Sequence, residues 1–315
     1  MKLCDLYGRQ INYLRISLTD RCNFNCIYCR SNGVEFLKRE DILTLEEIEF
    51  LASFFHEKFG IEKVRLTGGE PFMRRGIERV IKNLAEKNLK VKITTNGFFL
   101  SKFSKFLSEY EVGVNVSLDT LDPKKFKKIS GLDGFSEVME GIDKAINDCV
   151  KLKINSVILR GVNDDEILDL VDFAWARNVE IRFIEFMPFT EVWNAYFISE
   201  DEIKAKIQEK FKIEFLEFKG TASIYTSDNG CRIGFISTVT KPFCNLCSRL
   251  RLTADGRLVL CIFDKISYPI KEFLRPYVRE NELFEFVLET VRKKPKGFVE
   301  FAGEKAKFEM IKLGG

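Results

Sequence analysis

The stretch Tyr13–Cys29, YLRISLTDRCNFNCIYC, joins the pattern of a β-strand to a loop that carries three cysteines. These are Cys22, Cys26 and Cys29, and their spacing is C-x3-C-x2-C. Structural zinc sites are usually closed by four protein ligands, and ferredoxin-type clusters also take four cysteines, so this loop lacks a ligand for either. The spacing therefore predicts a metal centre that keeps one coordination position open.

Strand and helix patterns alternate through about the first two thirds of the chain, as expected for βα units. The first helix has Thr44 as its predicted N-cap and Gly60 as its predicted C-terminal stop. The predicted strands cover residues 13–19, 63–67, 90–95, 112–118, 152–158 and 180–186, and the predicted helices cover 44–60, 76–88, 101–110, 135–150, 165–177 and 199–211. Six such units in a row favour an α/β fold with a parallel sheet, either doubly wound or an incomplete barrel.

Polar and glycine-rich segments follow the predicted strands. The cysteine loop follows the first strand, GGEPFMRR (68–75) follows the second, NGFF (96–99) follows the third, and SLDT (117–120) ends the fourth. In both of the folds left open, ligands gather at the carboxyl ends of the strands. The sequence therefore predicts an active site on this rim of the sheet.

A second set of cysteines lies beyond about residue 214, where the β-α rhythm ends. Cys244, Cys247 and Cys261 have the spacing C-x2-C-x13-C. We therefore expect two regions, residues 1–213 with the first cysteine set and residues 214–315 with the second.

The composition is typical of a soluble, globular chain. Of the 315 residues, 45% are hydrophobic and 31% are charged, and the formal net charge is only +3. No apolar run approaches the ~20 residues of a membrane span. The N-terminus lacks the apolar core of a secretory signal, so we expect a cytoplasmic protein. A charge this close to balance argues against bulk nucleic-acid binding.

Nine cysteines and a single histidine limit the possible chemistry. In a cytosolic chain, many cysteines suggest metal or redox chemistry more than disulfides. His56 lies in a helix-like run and is expected to be only part of that helix. Because it is the single histidine of the chain, a histidine dyad or histidine-rich zinc site is excluded. Cys4 and Cys231 are assigned no role, and Cys149, at the end of a helical pattern, is expected to be a core or boundary residue.

The first cysteine loop, with an aromatic residue before its last cysteine, resembles the signature of the radical S-adenosylmethionine (SAM) enzymes. The segment LTGGEP (66–71), one β-α unit later, resembles that family's GGE motif. The resemblance implies that the three thiolates hold a [4Fe–4S] cluster whose fourth iron is chelated by SAM, which would be the missing ligand. The residues implied to contact SAM are Tyr28, Gly68, Gly69, Glu70, Ser117 and Met187.

The second cysteine set makes the resemblance more specific. The segments VNVSLDTLD (114–122), IRFIEFMP (181–188) and FCNLCSRLRLTADGRLVLC (243–261), with a terminal Gly-Gly, resemble the GTP 3′,8-cyclase (MoaA) family of molybdenum-cofactor biosynthesis. This resemblance implies an incomplete (β/α)6 TIM-type barrel. It also implies a second [4Fe–4S] cluster on the second cysteine set, whose open iron binds the guanine base of GTP.

Charged residues in otherwise apolar parallel strands need a reason, and a bound triphosphate would supply one. The strand charges that could bind it are Arg15, Lys63, Arg65, Lys153 and Arg182. The resemblance maps Arg15, Arg65, Thr94 and Lys153 to GTP-binding positions, and Arg249 and Arg251, beside the second cysteine set, are expected to be further GTP ligands. It assigns a catalytic role to the tail residues Gly314 and Gly315, which in the family reach into the active site. GGEPFMRR lacks the G-x4-G-K-[ST] spacing of a P-loop, so a GTPase is excluded.

By resemblance, a 5′-deoxyadenosyl radical removes the ribose 3′ hydrogen of GTP, and the carbon radical attacks C8 of guanine. Reduction of the resulting aminyl-type radical then gives (8S)-3′,8-cyclo-7,8-dihydro-GTP. The implied partners are a reductant such as ferredoxin or flavodoxin and, downstream, cyclic pyranopterin monophosphate synthase of the MoaC family. Family members are often homodimers, and neither DNA nor a membrane is expected. Two alternatives stay open: another radical enzyme with an auxiliary cluster, such as a peptide-modifying one, and a non-enzymatic electron carrier or zinc-binding module.

Overall fold

The computed structural model describes residues 1–29, 35–301 and 310–313. A short antiparallel hairpin comes first, and six parallel strands then pair with one another in chain order. The strands are β1 (Leu3–Cys4), β2 (Gln10–Ile11), β3 (Tyr13–Ser17), β4 (Lys63–Thr67), β5 (Lys90–Thr95), β6 (Gly113–Ser117), β7 (Leu152–Ile158) and β8 (Glu180–Glu185). The six predicted parallel strands are therefore confirmed.

Helices connect these strands and pack against the sheet. They are α1 (Leu45–Phe59), α2 (Ile77–Glu86), α3 (Leu100–Glu109), α4 (Pro123–Ser130), α5 (Phe135–Asn147), α6 (Ile167–Ala176), α7 (Trp193–Tyr196) and α8 (Glu200–Gln208), with a 3₁₀ turn at Pro71–Met73. Helix α1 begins and ends as predicted: Thr44 and Glu47 form a capping box, and Gly60 adopts a left-handed φ of 68°. His56 lies within α1, also as predicted.

The C-terminal strands extend both edges of the same sheet. They are β9 (Ile213–Lys219), β10 (Ala222–Ser227), β11 (Arg232–Ile236), β12 (Arg249–Leu252), β13 (Arg257–Val259) and β14 (Tyr268–Pro269). Strand β11 lies parallel to β8, and β10 and β9 follow it outward; β12 lies parallel to β3, and β13 and β14 follow it outward. Among the described residues the two end strands, β9 and β14, do not pair with each other, so the predicted incomplete barrel is confirmed.

The remaining helical segments belong to the C-terminal region. They are α9 (Glu280–Arg292), α10 (Met310–Leu313) and three 3₁₀ turns at Cys244–Leu246, Lys271–Phe273 and Phe298–Phe301. Within the described ranges, no helix has both the length and the apolar composition that crossing a bilayer requires.

The parallel strands separate a core face from a polar face by simple alternation. In β3, Leu14 and Ile16 are fully buried in the hydrophobic core, whereas Tyr13 and Arg15 line a cavity on the other face. The same alternation recurs in the next five strands, so each of them places polar side chains on the cavity face. The sequence therefore builds the site and the core with the same strands.

Cys149 is an exposed boundary residue with a left-handed φ of 60° just after α5, and it is not part of the core. Cys4 is also exposed, on the N-terminal hairpin. Neither cysteine lines the cavity on the polar face of the sheet.

Candidate active site

Both cysteine sets open into one cavity of about 480 Å³ on the polar face of the sheet. The cysteines that line it are Cys22, Cys26, Cys29, Cys244, Cys247 and Cys261. The first set follows the carboxyl end of β3, and the second set begins just before the amino end of β12. The structure thus brings together two groups of thiols that lie more than 200 residues apart in the chain.

The first cysteine loop is fastened to the GGE turn by backbone hydrogen bonds. The Gly69 N–H donates to Thr19 O and the Glu70 N–H donates to Arg21 O, both at 2.8 Å. The two backbones are so close that a methyl group added at Gly69 would lie 2.2 Å from Arg21 O. Only glycine fits such a contact, which explains this residue type in the motif.

Helix α4 supports the other side of the same loop. The Asn25 N–H donates to Ser130 O at 2.7 Å, and the Ile27 N–H donates to Ile129 O at 3.0 Å. The Asn96 side chain, from the NGFF segment, donates to the Sγ of Cys22 at 3.7 Å. The loop is therefore held from both sides by segments that follow other strands of the sheet.

The residues predicted to contact SAM are placed in two ways. Tyr28, Gly68, Gly69, Ser117 and Met187 all line the same cavity as the first cysteine set. The Tyr28 hydroxyl donates to Asp119, and burial raises the pKa of that carboxyl to about 6.

Glu70 is placed differently, because it is fully buried and does not line the cavity. Its carboxylate accepts hydrogen bonds from the backbone N–H groups of Phe72 and Asn96 and from the Thr95 hydroxyl. Burial raises the pKa of Glu70 to about 7 in spite of these three donors. In this structure Glu70 therefore fixes the turn on which the two glycines lie.

A row of cations crosses four neighbouring strands at one level of the sheet. In the strand register Arg251 lies opposite Arg15, Arg15 opposite Arg65, and Arg65 opposite Lys92. All four side chains line the cavity. Burial, and then the neighbouring charge of Arg251, lower the pKa of Arg15 well below its usual value. Such crowding of like charges favours an anionic ligand on this face.

The other predicted GTP residues lie around this row. Lys63, Thr94, Lys153, Arg182 and Arg249 all line the cavity. Arg65 donates to the Thr94 hydroxyl at 2.9 Å, which fixes that side chain. Lys153 and Arg182 both pair with the carboxylate of Glu180. Burial, and then the charge of Arg182, lower the pKa of Lys153 to about 8.

Two residues of this face were missed by sequence reasoning. Lys92 completes the cation row, and its alternation with Val91 and Ile93 in KVKITT was a usable signal. Glu180 had no signal, because a glutamate at the start of a strand is usually a solvated residue. Among the described residues that line the cavity, nine are Lys or Arg and only two, Asp119 and Glu185, are carboxylic acids.

The second cysteine set is braced by buried cations. Arg9 donates to the main-chain oxygen of Cys244 at 2.9 Å, and Lys294 donates to those of Arg249, at 3.0 Å, and Leu260. Burial acts to raise the pKa of Cys247, but the charges of Lys294 and Arg249 outweigh it and lower that pKa to about 7. A thiolate, the form that binds metal, is therefore favoured at Cys247.

The donor set of each group fits an iron–sulfur cluster. All nine cysteines lie within the described residues, and none forms a disulfide. No three Cys, His, Asp or Glu side chains in the described part of the chain converge as ligands of a single metal ion. A cluster instead spreads its thiolates over separate irons, which suits three partly buried thiols around one cavity.

The predicted catalytic tail, Gly314 and Gly315, lies outside the described residues. Met310, four residues before Gly314, lines the cavity. The end of the described chain therefore lies at the site.

Two family descriptions match the chain. "Radical SAM superfamily" matches residues 16–174, and "Molybdenum Cofactor Synthesis C" matches residues 179–300. The first match runs from the end of β3 into α6 and contains the first cysteine set, and the second contains Cys244, Cys247 and Cys261.

Solved structures share the fold at low sequence identity. Streptococcus suis SuiB bound to S-adenosylmethionine has a TM-score of 0.65 at 14% identity, over 96% of this chain and 76% of that one. SuiB bound to the precursor peptide SuiA has the same TM-score at 16% identity, over 90% of this chain and 67% of that one.

Curated relatives named GTP 3′,8-cyclase match almost the whole chain. The protein from Rhizobium etli is 40% identical over 94% of this chain and 88% of its own length. The protein from Brucella abortus is 38% identical over 94% of this chain and 89% of its own length. This chain therefore belongs to the GTP 3′,8-cyclase family within the radical SAM superfamily.

Proposed function

We propose that this chain converts GTP to (8S)-3′,8-cyclo-7,8-dihydro-GTP as a radical SAM lyase of molybdenum-cofactor biosynthesis. The observation that carries the proposal is a single cavity lined by both cysteine sets and by a row of four strand cations. A nucleotide in this cavity would have a metal centre at each end and positive charge along its length. The activity named for the relatives supports the same reaction.

At the first cysteine set, Cys22, Cys26 and Cys29 would each bind one iron of a [4Fe–4S] cluster and leave the fourth iron for SAM. When bound and reduced, this group would supply the 5′-deoxyadenosyl radical that removes the 3′ hydrogen of GTP; C3′ would then bond to C8 of guanine, and one further electron and a proton from the reductant and solvent would give the product. The chain's own residues hold and orient SAM. Those proposed to line the SAM site are Tyr28, Gly68, Gly69, Ser117 and Met187, and Glu70 is proposed to act through the turn that it fixes.

At the second cysteine set, Cys244, Cys247 and Cys261 would hold a second [4Fe–4S] cluster, whose open iron takes the guanine base. Arg249 and Arg251 leave this set on β12 and reach the cavity, where their planar cations can fork onto a phosphate or a purine edge. The other proposed GTP residues are Arg15, Lys63, Arg65, Thr94, Lys153 and Arg182, to which we add Lys92. Together they would fix the ribose so that C3′ faces the radical source, which is catalysis by positioning.

The two regions of the chain and its C-terminal tail are proposed to divide the work of the site. We propose that residues 1–213 form the radical SAM region and that residues 214–315 supply the second cluster and the tail. Gly314 and Gly315 are proposed to enter the site and assist radical initiation. The position of Met310 on the cavity supports that path for the tail.

The proposed partners follow from the chemistry. SAM cleavage consumes an electron, so a ferredoxin- or flavodoxin-type reductant is needed, and the product would pass to a synthase of the MoaC family. A homodimer is proposed because the edge strand β9 exposes Phe215, Leu216 and Phe218. Exposed apolar side chains on a sheet edge commonly mark an interface. None of the nine cysteines, all of which lie in the described ranges, forms a disulfide, which suits the reducing cytoplasm, where we propose that the protein works.

The proposal is tested on anaerobically reconstituted protein. Two clusters predict about eight irons per chain, and the cyclase reaction predicts 5′-deoxyadenosine that forms only when GTP is present. About four irons, with SAM cleavage independent of GTP, would refute the second cluster and the substrate. Cleavage that depends on an added peptide and not on GTP would favour the peptide-modifying alternative.

A further inference from the structure

A buried lysine beside the second cysteine set has no role assigned by the resemblance. Lys294 lies two residues after α9 and is only 3% exposed. Its Nζ donates to the main-chain oxygen of Arg249 at 3.0 Å and to that of Leu260. Arg249 lies two residues after Cys247, and Leu260 directly precedes Cys261. One ammonium group is therefore tied to the backbone beside two of the three cysteines.

Lys294 forms no salt bridge with a carboxylate in the part of the chain that the structure describes. The leading negative influences on it there are Cys247 and Cys261, and its charge also acts on the buried carboxyl of Asp264. Burial of an ammonium group without a counter-charge is costly, and lysine is almost never fully buried unless it is paired. An anion is therefore expected next to Lys294 in the loaded protein.

Arg9 offers a useful contrast on the same centre. It donates to the main-chain oxygen of Cys244, so it also braces a cysteine. Its guanidinium, however, pairs with the buried Asp5 carboxylate at 2.5 Å. The pair adds no net charge, whereas Lys294 brings a buried cation that acts on Cys247 together with Arg249.

We propose that Lys294 is the counter-charge and a positioning residue of the second iron–sulfur cluster, an inference that rests on the function proposed above. A four-iron core with three thiolates is negatively charged, and reduction adds one electron. A buried cation beside it stabilises the reduced form more than the oxidised form. Lys294 therefore raises the reduction potential of the second cluster, while its two main-chain hydrogen bonds hold the backbone next to Cys247 and Cys261.

The experiment uses the full-length chain with Cys22, Cys26 and Cys29 replaced by serine, so that all bound iron belongs to the second cluster. This parent is compared with its Lys294→Gln and Lys294→Arg variants after anaerobic reconstitution. Iron per chain and the reduction potential, followed by electron paramagnetic resonance, are measured for each protein.

Lys206→Gln, made in the same parent, is the matched control. The Nζ of Lys206 also donates to a main-chain oxygen, that of Asp164 at 2.9 Å, but in a part of the fold that carries no cluster ligand. This variant shows how far iron per chain and the reduction potential change when a lysine-to-backbone hydrogen bond is lost in a part of the fold without cluster ligands.

We expect Lys294→Gln to shift the potential to a more negative value or to lose iron, and Lys294→Arg to restore the parent's behaviour. The control should match the parent. Equal potentials in the parent and Lys294→Gln, or equal iron loss in the Gln and Arg variants, would overturn the counter-charge role. A parent that binds no cluster would instead refute the proposed second cluster, and this inference with it.

Discussion

Replacement of Gly69 by alanine should displace the first cysteine loop. The added methyl group would lie 2.2 Å from Arg21 O, 2.5 Å from Arg21 C and 2.9 Å from the backbone nitrogen of Cys22. Ordinary contact starts at 3.4 Å, so the two backbones must separate by about 1 Å. Every atom met is backbone, and no side-chain rotation relieves the overlap.

The loss of stability expected for Gly69→Ala follows from the contacts that the separation of the two backbones disturbs. Overpacking typically costs about 1–3 kcal/mol. The two backbone hydrogen bonds that fasten the turn to the loop, from Gly69 to Thr19 and from Glu70 to Arg21, would also lengthen. Each of these is worth about 1 kcal/mol. We therefore expect Gly69→Ala to lower the free energy of unfolding of the metal-free protein by about 2–4 kcal/mol.

Gly113→Ala is the matched control, because it makes the same chemical change in the same sheet. Its methyl group would meet the Lys92 side chain at 3.5 Å, which is ordinary contact. We expect its stability to stay within about 1 kcal/mol of the wild type. Urea unfolding of the metal-free proteins measures both variants.

Iron binding gives the second readout. In a background with Cys244, Cys247 and Cys261 replaced by serine, Gly69→Ala should retain much less iron than Gly113→Ala. If Gly69→Ala matches the wild type in both unfolding free energy and iron content, the reasoning from the turn contact is wrong.

Four further predictions concern the substrate, the tail and the assembly. The pKa of Lys153 is about 8, so the KM for GTP should rise as the pH rises through that value, and Lys153→Arg should move the rise to higher pH; a wild-type KM that is constant over that range contradicts this. Arg251→Met should raise the KM for GTP about 10- to 100-fold, because a charge-assisted hydrogen bond is worth about 1.5–3 kcal/mol, and unchanged iron per chain is the check. Deletion of Gly314 and Gly315 should lower kcat but leave the Kd for GTP unchanged, and equal kcat values would count against the proposed tail role. Phe218→Lys on the exposed edge strand β9 should shift a dimer to monomer in sedimentation, and an unchanged mass would exclude that interface.

The parallel sheet could be predicted because each strand carries its own local signal. Apolar residues alternate with polar ones, and caps such as Thr44 and Gly60 mark where a helix begins and ends. Helix α4 escaped prediction because PKKFKKIS contains only two apolar residues, Phe126 and Ile129. Its start and stop signals, Asp122 before Pro123 and Gly131 at a left-handed φ of 70°, were present without an apolar stripe to join them.

Site residues whose role depends on burial in the fold were harder to predict from the sequence. Arg15 and Arg65 stand out as charges inside apolar strands, and the sequence alone identifies them. Lys294 lies in RKKPKG, which reads as a solvated charge run, and only the fold shows that this one lysine is buried. Arg9 is similar, since its contact with Cys244 spans 235 positions in the chain and leaves no local pattern.

The pairing of β12 with β3 explains why two distant cysteine sets share one cavity. The strands are parallel, the first set follows the carboxyl end of β3, and the second set precedes the amino end of β12. The sets therefore lie at opposite ends of one strand pair, separated by a strand of five residues, or about 17 Å. Arg15 and Arg251 are opposite each other in this register, and a slip of one residue would turn one of them into the core. The register that separates the two cysteine sets thus also places the cations between them, so the spacing and the charge of the site depend on the same strand pairing.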